Sequence, residues 1–433
     1  MTPIEIGFLG LGAMLALLFT GIPIGIAMAV VGTFGFALVN GPEGALGLLM
    51  TVPYSTAASY TLSVVPLFIL MGELSFHSGI SQDLYRVAYK WLGHMPGGLA
   101  MATIGAGAAF GAMCGSSAAS TATFGSVALP EMRKFKYQPG FAAATVSAGG
   151  TLAIMIPPST AFIVYGVMTE QSIGKLFIAG ILPGIVLAIL YCIGIYVMAK
   201  RIPGLAPRGP EVSLGDKVRS VGDSWPMFIL FGFVMGGIWF GWFSATEAGA
   251  MGAFGSLLFL IWRRQFNMKN LVSCLTATAN ITAMIFLILI GAQVFSTFLA
   301  VTDVPQAIAE WLTGLAIPPM GIILGIMIIY FLLGTAMEEL SMVMLTTPLL
   351  FPVIQHLGFN PLWYGVMVVI AIQQGQLTPP IGMNLNIICG IAKDVSTAQI
   401  FKWVMPYVVV LLVFMFIMMA FPQLALLLPS MMK

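Results

Sequence analysis

Two apolar stretches, residues 97–132 and 319–353, are too long for a single membrane crossing, and each is broken by glycine near its middle. A helical crossing takes roughly 20 apolar residues. Ten further stretches have the length of one span, near 4–20, 22–39, 61–79, 138–168, 174–199, 224–241, 245–262, 273–299, 361–392 and 396–420. Only 7% of the 433 residues are charged and 59% are hydrophobic, where soluble domains carry roughly 25% charged residues. No water-facing surface can be built from so few charges. A soluble enzyme is excluded, and a net charge of +2 is no footprint for nucleic acid. An outer-membrane barrel would show short alternating segments. The chain therefore reads as an all-α polytopic membrane protein.

Charge sets the orientation. Arg86 and Lys90 precede the first long stretch, and Arg133, Lys134 and Lys136 follow it. Further basic loops lie at 200–219 and 263–269. The positive-inside rule places these loops in the cytoplasm. Residues 97–132 then begin and end inside, as a re-entrant helical hairpin. Residues 319–353 have no Lys or Arg for many residues on either side, so their hairpin enters from the outside. About ten full spans and two oppositely oriented hairpins satisfy every loop, with both termini outside. The start Met1-Thr2-Pro3-Ile4-Glu5 lacks a basic n-region, so the first helix is expected to be retained. Residues 41–60 are expected to be interfacial.

The hairpins belong to a repeat. Pro130 is followed 27 residues later by Pro157-Pro158, and Pro352 is followed 27 residues later by Pro379-Pro380. Pro183 and Pro406 follow in turn, and Gly72 and Gly291 sit late in apolar helices upstream. With opposed charge flanks this is an inverted repeat, the plan of many secondary transporters, whose sites lie at the repeat interface. The expected division is scaffold helices at 1–60, a first repeat at 61–199, a cytoplasmic loop and central scaffold helices at 200–272, a second repeat at 273–420, and a C-terminal tail at 421–433.

Irregular backbone at membrane depth survives only where protein buries it or where it lines a watery cavity, so the hairpin tips are the places to look for function. The first tip reads Gly115-Ser116-Ser117-Ala118-Ala119-Ser120-Thr121. Its hydroxyls open a returning half-helix, whose free N–H groups suit an anion. Its carbonyls and hydroxyls also suit Na⁺. Tight packing of small residues is the competing reading. The second tip reads Gly334-Thr335-Ala336-Met337-Glu338-Glu339. Carboxylates in an apolar hairpin are costly and default to function, although capping alone would also explain them. Adjacent helical residues diverge, so one of the two is expected to face the site.

Doubled proline breaks a helix and frees carbonyls. Those at 154–156 and 376–378 make plausible Na⁺ cages beside the tips, with Asn384 and Asn386 as added amides. No Arg lies between 137 and 199 or after 264, so no buried Arg clamp is available in either half. An anion would be held by helix N-termini, hydroxyls, amides and Na⁺. No HExxH, GxSxG or P-loop occurs, and the four cysteines show no metal spacing.

Gly115-Ser116-Ser117 with Leu129-Pro130-Glu131-Met132, Ile156-Pro157-Pro158-Ser159, Gly334-Thr335 with Glu338-Glu339, and Leu377-Thr378-Pro379-Pro380-Ile381-Gly382-Met383-Asn384-Leu385 together resemble the large membrane subunit of tripartite ATP-independent periplasmic (TRAP) transporters. The likeness covers essentially the whole chain. The paired glutamates depart from the pattern, which carries one acidic residue beside Gly or Ser. The resemblance implies a sodium-driven, elevator-type transporter in the bacterial inner membrane and no enzyme. Its partners would be a small four-helix membrane subunit and a periplasmic binding protein delivering an organic acid. It puts Na⁺ where tips meet broken helices. The substrate candidates are Ser116, Ser117, Ser120, Thr160, Asn384 and Asn386. The Na⁺ candidates are Gly115, Ser116, Ile156, Gly334, Thr335, Glu339, Gln376 and Thr378. A self-sufficient sodium-coupled anion carrier of a related elevator fold is the alternative. Tyr54, Tyr60, Trp311 and Trp363 mark either a docking face outside or an aromatic belt.

Overall fold

The computed structural model describes residues 1–315 and 317–432, with the side chains of all but Asp223 and Ala336. Ala316 and Lys433, the latter at the end of the expected tail, lie outside the described residues. The described residues contain helices and no strand.

The chain opens with α1 (Pro3–Phe19), started by a capping box: the Glu5 amide donates to the Thr2 hydroxyl at 3.3 Å and the Thr2 amide to the Glu5 carboxylate at 2.9 Å. Next come α2 (Ile24–Ala57), bent at Gly41 with φ +83°, then α3 (Val64–His77) and α4 (Ile80–Leu92). The first hairpin is α5 (Gly98–Cys114) and α6 (Ser117–Lys134). The first Pro–Pro segment is α7 (Pro139–Thr151) and α8 (Thr160–Met168), and α9 (Ile173–Arg201) closes that half. The middle holds α10 (Leu214–Asp223), α11 (Trp225–Trp239) and α12 (Ala245–Trp262). Then follow α13 (Met268–Val301), α14 (Val304–Thr313), and the second hairpin, α15 (Pro319–Ala336) and α16 (Glu339–His356). The second Pro–Pro segment is α17 (Pro361–Leu377) and α18 (Met383–Ile391), before α19 (Thr397–Ala420) and α20 (Gln423–Ser430).

Among the described residues, six helices are long and apolar enough to cross a membrane singly, or seven if bent α10–α11 counts as one span. The Pro–Pro segments are each two short helices with an irregular break, as the prolines require. On α9, Ile185, Ile189 and Ile193 recur every fourth residue and are exposed. That stripe suits hydrocarbon.

The two hairpins and their Pro–Pro segments match at a constant offset of 222 residues, which carries Pro130 to Pro352 and Pro157-Pro158 to Pro379-Pro380. Both Pro–Pro bonds are cis. In each half the first hairpin helix crosses the first helix of the Pro–Pro segment closely. In the second half, a Cβ on Gly375 would come within 2.5 Å of the Gly334 Cα. Gly72 and Gly291 are not equivalent in packing. Gly72 admits the Met113 carbonyl at the first tip, while Gly291 admits the Gly25 backbone of α2.

Three features depart from the sequence reading. Short helices occupy segments read only as loops: α4 and α14 ahead of the two hairpins, and α10 within the basic loop expected at 200–219. The expected C-terminal tail contains α20, packed on α9 with Ala425 and Pro429 buried. Trp363 is 1% exposed and donates its indole N–H to the Met418 carbonyl at 3.0 Å. It belongs to no outer face, whereas Tyr54, Tyr60 and Trp311 are exposed.

Candidate functional site

Each tip is a turn followed by a capped helix. Gly115 takes the left-handed conformation, φ +63°, to end α5. A Cβ there would also lie 2.6 Å from the Pro158 carbonyl oxygen, so only glycine fits on both counts. Ser116 then caps α6, accepting from the Ala119 amide at 3.4 Å. At the second tip Glu338 caps α16, accepting from the Ser341 amide at 3.2 Å and its hydroxyl at 3.3 Å. Ser116 and Glu338 are 222 positions apart, as are the residues that follow them, Ser117 and Glu339. The caps hold the helix ends, and the following residues turn inward.

Ser117 and Glu339 meet through one side chain. The Ser117 hydroxyl donates to Gln376 Oε1 at 2.9 Å, and Gln376 Nε2 donates to Glu339 Oε2 at 3.0 Å. Asn384 Nδ2 donates to the Ser117 hydroxyl at 2.6 Å. On the far side, the Thr160 hydroxyl lies 3.3 Å from Glu339 Oε1 and 3.0 Å from the Gly115 carbonyl. Both tips and both Pro–Pro segments are thus joined in one buried polar chain. Its members Ser117, Gln376, Asn384 and Glu339 are all buried.

The backbone around the breaks is rich in oxygen. Ala153 and Ile154 lose their helical donors because positions 157 and 158 are proline. In the second half Gly382 is wedged beside the carbonyls of Gln376 and Thr378, its Cβ position 2.7 Å and 3.0 Å from them. Ser120 Oγ and Asn384 Oδ1 are buried without a hydrogen-bond partner among the described residues. A donor set of oxygens alone suits a hard cation. No group of three His, Cys, Asp or Glu among the described residues could hold a metal ion.

Of the sequence candidates, Gly115, Ser116, Ser117, Thr160, Glu339, Gln376 and Asn384 converge here. Gly334 serves the α15–α17 crossing, and Ile156 is buried beside Gly184 of α9. The Thr378 hydroxyl turns back to the Gln374 carbonyl at 2.6 Å. Two candidates lie apart. The Thr335 hydroxyl bonds to the Leu332 carbonyl of its own helix at 2.8 Å, and Asn386 is exposed. Asn386 is two positions from Asn384, roughly 200° around a helix, so both cannot face one site.

A cavity of about 720 Å³ adjoins the tips. One wall carries Cys114, Ser116, Thr160, Glu338, Glu339 and Ser341; the other is formed by Ile69, Glu73 and Phe76 of α3, the start of α2, and Ile281 to Ile288 of α13. Among the described residues, no Lys, Arg or His lines it. Glu73 went unnoticed in the sequence, although a lone carboxylate in an apolar span was the available signal.

A family model described as the tripartite ATP-independent periplasmic transporter, DctM component, matches residues 11–424. The chain belongs to this family. It is 33% identical to the C4-dicarboxylate TRAP transporter large permease protein of Pseudomonas aeruginosa, covering 90% of this chain and 93% of that protein. It is 32% identical to the 2,3-diketo-L-gulonate TRAP transporter large permease protein of Escherichia coli, over 83% and 85%. Its fold is similar to that of the Alcanivorax borkumensis YdaH transporter, with TM-score 0.64, 14% identity, and 89% and 88% of the two chains covered. As a DctM-family chain it is a multi-pass membrane transporter subunit, and the motifs read as TRAP-like are those that build the tips and breaks.

Proposed function

We propose that this chain is the carrier subunit of a sodium-driven uptake system for a small organic acid in the bacterial inner membrane. The observation that carries this reading is the polar chain Asn384–Ser117–Gln376–Glu339–Thr160, buried up to the half-buried Thr160, which ties both hairpin tips to both Pro–Pro breaks beside a cavity of about 720 Å³. Na⁺ is bound at the tips by hydroxyls, freed carbonyls and the Glu339 carboxylate. It also offsets the charge of Glu73, Glu338 and Glu339, and so lets an anion enter a cavity with no basic side chain. Relatives named for C4-dicarboxylates, 2,3-diketo-L-gulonate and sialic acid support an organic acid as cargo.

The hairpins and Pro–Pro segments move as one body, in an elevator step, against a scaffold of α2, α3, α12 and α13. The positive-inside rule puts the cavity at the cytoplasmic ends of α2 and α3, so this conformation faces inward. Both termini then lie in the periplasm. A small four-helix subunit and a periplasmic binding protein complete the system. One relative, an isethionate TRAP permease protein named DctMQ, is longer, and this chain spans 62% of it. That extra length supports a second membrane subunit.

The test is uptake into proteoliposomes under an inward Na⁺ gradient, with and without the small subunit and loaded binding protein. Uptake that needs both partners and Na⁺ is expected. Uptake indifferent to Na⁺ would overturn sodium coupling, and full uptake by the chain alone would favour a self-sufficient carrier.

A further inference from the structure

Gln376 occupies the last turn of α17, three residues before Pro379-Pro380. The matching position in the first half, 222 residues earlier, is Ile154, which is also fully buried before its own Pro–Pro break. The break itself therefore needs no polar side chain here; an apolar one packs as well. A buried amide costs free energy unless both its ends are bonded. Gln376 bonds both, and its partners are the repeat-equivalent residues of the two tips, Ser117 and Glu339.

The chain has a fixed direction. Glu339 as a carboxylate only accepts, so the Gln376 NH₂ must face it and Oε1 must face Ser117. Ser117 must then spend its single proton on Gln376. Its lone pairs are left for Asn384 Nδ2 and for a ligand at the first tip. If a cation occupies the Glu339 oxygens, the amide loses what orients it. It becomes free to turn and donate to Ser117, which changes what the Ser117 oxygen can accept.

We propose that Gln376 is a positioning residue that couples the two hairpin tips, so that cation occupancy at one tip alters affinity at the other. This rests on the sodium-coupled reading above. Coupling between two sites typically changes affinity by about 5–150-fold, so Na⁺ binding should be non-hyperbolic.

The experiment is equilibrium binding of radioactive sodium to the purified full chain, as wild type, Gln376→Met, Glu339→Gln, and the swap Glu339→Gln with Gln376→Glu. Met keeps the length and removes both hydrogen bonds. The swap restores every bond with the carboxylate moved to α17. The wild type should bind sodium with a Hill coefficient different from 1. Gln376→Met should bind with a coefficient near 1, and the swap should regain the wild-type departure that Glu339→Gln lacks. Unchanged non-hyperbolic binding in Gln376→Met overturns the proposal, as does hyperbolic binding by the wild type. No sodium binding by the wild type overturns the sodium reading instead. If Gln376→Met does not fold, the swap against Glu339→Gln decides, and a swap that restores nothing overturns the coupling.

Discussion

Gln373 Nε2 donates to the Thr151 carbonyl at 2.7 Å, and the two residues are related by the 222-residue offset of the repeat. A two-fold operation exchanges repeat-equivalent positions, so equivalent residues can touch only beside the axis. This contact therefore marks the pseudo-two-fold axis between α7 and α17. The Pro–Pro breaks lie just beyond it on both sides, which brings the two tips within reach of one glutamine.

Removing that contact should loosen the centre of the protein. Gln373→Leu leaves a buried carbonyl without its donor, at a cost of about 1–3 kcal/mol. Gln373 Oε1 has no partner to lose among the described residues. The variant should melt several degrees lower in detergent while keeping the span-facing surface and membrane insertion unchanged. A melting temperature equal to wild type would show that the contact contributes nothing to stability.

Sodium should stabilise the purified protein where potassium at equal ionic strength does not. The tips offer oxygens sized by backbone geometry, and a ligand that binds only the folded state raises stability by about 2.7 kcal/mol at a hundred times its dissociation constant. Thermal unfolding across a sodium series, with total salt held constant, reads this directly. Identical curves in the two salts would remove sodium from the mechanism.

Glu338 and Glu339 should respond differently to amidation. Glu338 caps α16, and glutamine keeps an acceptor oxygen for the Ser341 amide, so Glu338→Gln should cost about 1 kcal/mol of stability or less and leave sodium dependence within about twofold. Glu339 accepts from Gln376 and Thr160 inside the polar chain. Glu339→Gln keeps an acceptor oxygen for the Gln376 amide but removes the charge, so half-saturating sodium should rise at least about tenfold, a difference of ~1.4 kcal/mol. Matching sodium curves for the two variants would contradict the distinct roles.

The frame of this site was legible because it is written in backbone-breaking residues and charge. Pro157-Pro158, Pro379-Pro380 and the glycines locate every break within a few residues, and hairpins expected at 97–132 and 319–353 occur as α5–α6 and α15–α16. Side-chain direction was not legible. Position 376 was expected to supply a carbonyl; that its side-chain amide also bridges the tips depends on the phase of α17 at the break, which decides which way that side chain points. Helical phase likewise separates Asn384 from Asn386 on α18 and turns Trp363 of α17 inward, where it stacks on Phe359 at 5.3 Å. Helices α4, α10 and α14 escaped because short amphipathic segments carry no span-length apolar run, and α20 because it has only eight residues.

Cys114 gives access to the cavity and tests its sidedness. It ends α5, lines the cavity and is half-buried, whereas Cys274 is fully buried away from it. A membrane-impermeant thiol reagent applied from the cytoplasmic side should label Cys114 and block uptake, since the adduct would fill space between the tips and α3. The same reagent from the periplasmic side should label it far more slowly, because in an inward-facing carrier the outward-open state is a minor one. Cys114→Ala should abolish the inhibition without abolishing uptake, which excludes Cys192 and Cys389 as the reacting thiols. Sodium should slow the labelling by occupying the adjoining tip. Equal labelling from both faces would mean that the cavity is not one-sided, and faster labelling from the periplasm would reverse the orientation drawn from the charged loops.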